Sequence, residues 1–172
     1  MLTVRSLRIA VAAAFAVATL TACGLTKSPA EGLTFKAPDG WQGTPGIMGR
    51  FQLWTARSGT ETTGQVLMLM KLPVDTNLKG DFDPSNLNDV NGSASLRNAK
   101  VLAKRTMTLC NSQQSIFMKM RGQSKNQKTE EQIEAVVSNA PDGTYMAMYM
   151  FPIGAAPDPA AEAAIYELCP AK

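Results

Sequence analysis

Ten methionines, three cysteines and no histidine bound the chemistry that this 172-residue chain can carry. The methionines gather as Met68-x-Met70, Met118-x-Met120 and Met146-x-Met148-x-Met150. On an extended strand, residues two apart project to the same side, so each run lines up its sulfurs. Thioethers are soft ligands and suit Cu(I). They also fill gaps in hydrophobic sheet faces. The segments around them carry Leu, Tyr and Phe and are not the flexible His/Met-rich loops that suit metal capture. Core packing is therefore the expected role, with methionine-based copper handling as the alternative. The missing histidine removes Ser-His-Asp and Cys-His catalysis, His-based zinc sites and His-driven pH switching. The acids do not make up for it. Asp83 precedes Pro84 and reads as a helix cap beside Asp81, and Glu130-Glu131 lies near Lys128 in a polar turn. The Asp81/Asp83 loop lacks the further oxygens and the glycine of a calcium loop. Gly40, Gly43, Gly46 and Gly49 do not lead into a helix, so they do not form a phosphate cradle. No catalytic residue, cofactor or metal ligand is assigned, and the chain is expected not to be an enzyme. Trp41 and Trp54 could line a ligand surface, but packing is the expected role.

The N-terminus has the parts of an export signal. Arg5 and Arg8 stand in a short segment without acids, and Ile9 to Leu20 is almost wholly apolar. That run falls short of the about 20 residues needed to span a bilayer. Leu20-Thr21-Ala22-Cys23 follows and resembles the bacterial lipobox, an aliphatic residue, two small residues and a cysteine. The resemblance implies cleavage before Cys23, a diacylglyceryl group on its thiol, and a membrane partner reached through that lipid. Two or three acyl chains make anchoring stable where one does not. Gly24 follows where aspartate would hold a lipoprotein at the inner membrane, which favours the outer membrane in an organism that has one. The expected organisation is residues 1–22 as signal, 23–32 as lipidated tether and 33–172 as one domain. The expected location is the extracytoplasmic side of the cell envelope.

Lipidation of Cys23 would leave Cys110 and Cys169. An even pair in an exported protein reads as a disulfide, with two buried thiols as the alternative. The pair is too far apart in sequence for a CxxC redox motif. Charge excludes another class of partner. The 17 Lys and Arg, less Arg5 and Arg8, leave 15 against 14 Asp and Glu, which argues against nucleic acid.

These residues need elements to hold them. Leu33–Ala37 alternates apolar and polar and is expected to be a first strand, closed by the turn Pro38-Asp39-Gly40 and Trp41. Arg50–Thr55 alternates again. Gln65–Leu72 and Thr144–Phe151 are apolar on both faces, as central strands are. Asp83-Pro84 opens a helix with Leu87, Val90 and Ala94 on one side. Lys100–Cys110 is a long strand with Val101, Ala103, Arg105, Met107 and Leu109 on one face. Ser115–Arg121 places Ile116, Met118 and Met120 opposite Phe117 and Lys119. Ile133–Ser138 suits strand or helix, and strand is favoured because Pro141-Asp142-Gly143 then turns into the next one. Asp158 caps a last helix with Pro159 at its first position. Its apolar stripe is Ala161, Ala164, Ile165, Leu168 and Cys169, which places Cys169 to meet Cys110. The expected fold is α+β, a mainly antiparallel sheet of about six or seven strands flanked by two helices.

A first strand ending in Pro38-x-Gly40-Trp41, two strands, a helix, an antiparallel meander and a closing helix resembles the PsbP-like α/β/α sandwich. That resemblance implies an extracytoplasmic binding or assembly factor, and it carries no site residues. The expected function is a non-catalytic, membrane-anchored binding or assembly module of the cell envelope. Its partner would be an envelope protein or a small ligand. A hydrophobic-ligand carrier with a pocket beside the sheet is a further alternative.

Overall fold

The runs that are apolar on both faces become the middle of one sheet. The structure, a computed structural model, describes residues 27–58, 61–73, 96–110, 113–124 and 129–172. The signal, the lipobox with Cys23, and the helix expected from Asp83-Pro84 lie outside the described residues. The strands are β1 (Gln42–Gly43), β2 (Phe51–Ser58), β3 (Glu61–Lys71), β4 (Leu96–Leu109), β5 (Gln113–Ser124), β6 (Glu130–Ala140) and β7 (Gly143–Pro152). They form one seven-stranded sheet in the order β1-β2-β3-β7-β6-β5-β4, antiparallel throughout. The two double-sided apolar strands, β3 and β7, are neighbours with Met68 opposite Met148 and Leu69 opposite Ala147. The ambiguous Ile133–Ser138 segment is strand, inside β6.

Each face of the sheet has its own cluster. One holds Leu67, Leu69, Phe117, Val136, Tyr145, Tyr149 and Phe151, packed with Ala161, Ala164, Ile165 and Leu168 from the C-terminal segment. The other holds Met68, Met118, Met120, Met146 and Met148 with Ile116, Ile133, Ala135 and Val137. Alternation along each strand sorts the residues, because a shift of one position would exchange the two sets.

The helix α1 (Pro159–Ala164) begins as its sequence signals. Asp158 is extended at the N-cap, and its Oδ1 accepts from the Ala160 N–H at 2.8 Å. It does more than cap. Oδ2 accepts from the Trp41 indole N–H at 3.1 Å. The Asp158 N–H donates to the Tyr149 hydroxyl at 2.7 Å, and that hydroxyl donates to Gln65 Oε1 at 2.5 Å. One aspartate thus ties the helix start to the Pro-Asp-Gly-Trp turn and to the middle of the sheet. Asp158→Ala is expected to cost about 1–2 kcal/mol in a urea unfolding curve, the upper part of the range for a lost cap because the Trp41 N–H also loses its partner.

Three expectations need correction. Of the α+β sandwich with two helices, the antiparallel sheet and the closing helix are present; helix among the described residues is confined to α1, and the fold is largely β. α1 ends at Ala164 in tight turns, the Tyr166 N–H donating to Ala163 O and the Glu167 N–H to Ala164 O, each at 3.1 Å. The chain then bonds to residues 32–34: Cys169 O accepts from the Thr34 N–H at 2.7 Å and the Ala171 N–H donates to Gly32 O at 2.8 Å. Leu33–Ala37 is not a strand of the sheet. It crosses the helix-side face as a strap, held by a lone bridge from Leu33 to Pro170, with Leu33 and Phe35 buried in the core. The sheet begins instead with Gln42–Gly43. In β4 a register irregularity between Val101 and Ala103 separates the expected single face. Val101 packs with the methionine cluster, while Met107 and Leu109 pack with the other.

Candidate functional site

The strap and the C-terminal segment enclose an open groove of about 1120 Å³ on the helix side of the sheet. Apart from Leu33, its apolar lining is of small residues, among them Ala37, Pro38, Ala160 and Ala163. Lys36 and Lys172 face it, and so do Asp39 and Glu167, so its charge is balanced. Cys110 and Cys169 also line it, and they are joined as a disulfide with Cα atoms 5.6 Å apart. The bond links the end of β4 to the segment after α1. The strap is held to the same place, because the Cys169 N–H donates to Thr34 Oγ1 at 3.3 Å and Thr34 Oγ1 donates to Glu167 O at 2.9 Å. The groove is therefore built on a covalent staple and a hydrogen-bonded strap. It presents apolar surface and balanced charge to a ligand, and no nucleophile paired with a base.

The methionine runs converge further than strand periodicity alone indicates. Met68 stands opposite Met148, and Met70 opposite Met146. Met118 and Met148 flank Ala135, and Met120 and Met150 flank Ile133. All seven therefore share one sheet face. Met68, Met118, Met120, Met146 and Met148 are buried, the most exposed of them at 6%.

A polar cluster joins the end of β3 to the β6–β7 turn. Asp142 Oδ2 accepts from Lys71 Nζ at 2.8 Å and from the Tyr145 hydroxyl at 2.6 Å. The Lys71 ammonium lies 5.2 Å from the centre of the Tyr145 ring. Gly143 makes room for this, since a Cβ there would come within 2.8 Å of Lys71 Cε. The hydrogen bond to Asp142 raises the Lys71 pKa. The same bond, then that from Tyr145, lowers the Asp142 pKa. Burial, then the Asp142 hydrogen bond, raises the Tyr145 pKa. Lysine and tyrosine are both held protonated, so neither is a base or nucleophile at neutral pH. The cluster is a clamp. Asp142→Asn should lower stability at neutral pH by a fraction of a kcal/mol, because the pair is partly exposed. A carboxylate with a lowered folded pKa stabilises above its unfolded value and loses that contribution as pH falls through the folded one. Denaturation midpoints of the two proteins should thus differ at pH 7 and converge in acid, below the usual aspartate range. Raised pKa values act at the other end: the contribution of Lys71 is present below the ordinary lysine range and fades as pH climbs through its folded value.

The remaining sequence candidates are dispersed. Trp54 packs on Phe35 with ring centres 5.2 Å apart, and Trp41 sits edge-on to Tyr149 at 6.2 Å, so both serve packing. Glu130 pairs with Arg121 across the β5–β6 hairpin. Asp81 and Asp83 lie outside the described residues. The sequence offers a pocket beside the sheet only as an alternative and does not place it, because the strap and the C-terminal segment that wall it are more than a hundred residues apart. The expected meeting of Cys110 and Cys169 and the Pro-Asp-Gly turn mark parts of its lining.

No helix among the described residues is long and apolar enough to cross a membrane. No protein-family model matches the chain, and no curated protein does. A solved structure of PA94, a protein of unknown function from Pseudomonas aeruginosa, is similar over 79% of this chain and 90% of its own, at 12% identity and a TM-score of 0.49.

Proposed function

We propose that the chain is a non-catalytic lipoprotein of the bacterial cell envelope. It is anchored through Cys23, and its groove beside α1 takes an envelope protein or small ligand. The groove carries the reading: it is an open, charge-balanced, largely apolar recess with stapled walls and no reactive pair. The lipobox Leu20-Thr21-Ala22-Cys23 supports the address. The Cys110–Cys169 bond supports it too, since such bonds persist outside the reducing cytosol. A PsbP-like sandwich with a second helix belongs to the same reading.

Ala163 is exposed and lines the groove, so it gives the test. Photo-crosslinking from position 163 in the organism's own membranes should yield a defined adduct that a second change, Ala160→Trp, abolishes by filling the groove. Turnover by the purified chain that is lost on changing one acid or tyrosine would defeat the non-catalytic reading.

Two alternatives rest on particular observations. The shared methionine face favours copper handling, and the apolar lining of the groove favours a hydrophobic-ligand carrier. Native mass spectrometry of protein taken from its own cells decides the second, because a carrier would retain a lipid-sized mass.

A further inference from the structure

Between β1 and β2 the chain makes a tight turn that points two large apolar side chains at solvent. Ile47 is 54% exposed and Met48 65%. The other exposed large apolar residues among those described, Leu102 and Ile153, stand singly. Single exposed apolar residues are ordinary on protein surfaces, whereas an adjacent pair at a loop tip calls for a reason. The backbone sharpens the point. Met48 has φ 51° and Gly49 φ 67°, with the Arg50 N–H closing the turn on Ile47 O at 2.8 Å. A non-glycine residue is strained in this region, and such strain is commonest where function holds it. Glycine or asparagine would relieve it, yet the position carries methionine.

The turn is fixed to the tether segment itself. The Gly49 N–H donates to Lys27 O at 3.0 Å. Gly46 lies so close to that carbonyl that a Cβ on it would approach the oxygen to 2.2 Å. Lys27 is four residues beyond Cys23, a span of about 14 Å when fully extended. Around the tip stand three cations, Lys27, Arg50 and Lys71, with Glu31 and Asp142 between them. Lys27 pairs with Glu31 at 3.4 Å with both side chains largely exposed, and Lys71 with Asp142. Arg50 has no ion pair among the described residues.

We infer that the Ile47–Met48 tip is a second membrane contact, inserting its two apolar side chains at the level of anionic lipid headgroups, with Arg50 and Lys27 on the phosphates. The inference rests on the lipid anchor proposed above, which places the tip against the bilayer. Apolar insertion combined with basic residues is how peripheral segments hold an anionic surface. The contact gives the anchored domain a defined orientation at the bilayer.

The test uses the full acylated chain in vesicles of phosphatidylcholine, with or without phosphatidylglycerol, carrying brominated acyl chains. Intact mass first establishes acylation at Cys23. Met48→Trp then adds a reporter over the background of Trp41 and Trp54, and Leu102→Trp on β4, at the opposite edge of the sheet, serves as control. The added emission at position 48 should be quenched at least about twofold more than that at position 102. Adding Arg50→Gln should shift the docked-to-free ratio about fivefold on anionic vesicles and leave neutral ones unchanged. Equal quenching at positions 48 and 102 in an acylated chain overturns the tip contact and leaves the anchor standing. A chain without acyl groups on Cys23 removes the anchor and the tip contact together.

Discussion

Cys110→Ser is expected to lower the unfolding free energy by roughly 4 kcal/mol. The bond closes a loop across a sequence separation of 59 residues. In the chain-entropy account, that closure removes freedom from the unfolded chain by about this amount. Domains of this size are stable by about 5–15 kcal/mol in all, so the loss is a large part of the whole. The effect should also be local. Cys169 holds the strap through Thr34, and Leu33 and Phe35 bury against the sheet only while the strap is in place. Hydrogen exchange in residues 33–37 and 160–171 should accelerate in the variant well beyond that in β6 and β7. Cys110 adds an opposing contribution, because its φ of 55° is in the left-handed region. Cys110→Gly should therefore be somewhat more stable than Cys110→Ser, by up to about 1–2 kcal/mol. Urea midpoints of the three proteins, and a gain of two hydrogens in intact mass on reduction of the parent, provide the measurement. Matching midpoints for Cys110→Ser and the oxidised parent would refute the staple.

The sheet was legible where side chains alternate and illegible where neighbours decide. Gln65–Leu72 and Thr144–Phe151 announced central strands because both their faces are apolar, and they lie third and fourth in the order. Asp158-Pro159 announced the helix start, and the stripe ending in Cys169 foretold its meeting with Cys110. Leu33–Ala37 misled for a physical reason. Its alternation only says that Leu33 and Phe35 point one way, and a strap lying on the sheet satisfies this as well as a strand in it. β1 has no apolar pattern at all, since Gln42 and Gly43 are both exposed. The irregularity in β4 depends on its pairing with β5, which no single strand encodes. The candidate site was less legible still. The groove, the Lys71–Asp142–Tyr145 clamp and the Ile47–Met48 tip each need backbone contacts between remote segments, and local composition marks none of them as more than loop or turn.

Met148→Ala is expected to cost about 2–5 kcal/mol, while Met148→Leu should cost under about 1.5 kcal/mol. Met148 is 1% exposed and lies in register between Met68 and Ala135. Truncation leaves a cavity whose walls belong to three paired strands, and paired strands collapse poorly into a void. Leucine restores most of the volume. The same substitutions separate packing from metal binding. A thioether site for Cu(I) needs sulfur, which leucine lacks, whereas a packed face needs only volume. The face holds methionine where leucine would fill, and its unbranched side chains fit the uneven gaps between Ala135, Val137 and Ile133. Met146/Met148/Met150→Leu should consequently remain folded, and neither it nor the parent should take up stoichiometric Cu(I) kept reduced by ascorbate. Tight uptake by the parent that disappears in the triple variant would make the face a copper site and displace the groove as the functional centre. Loss of folding in the triple variant without copper uptake by the parent would mean instead that these sulfurs are held for their shape and polarisability.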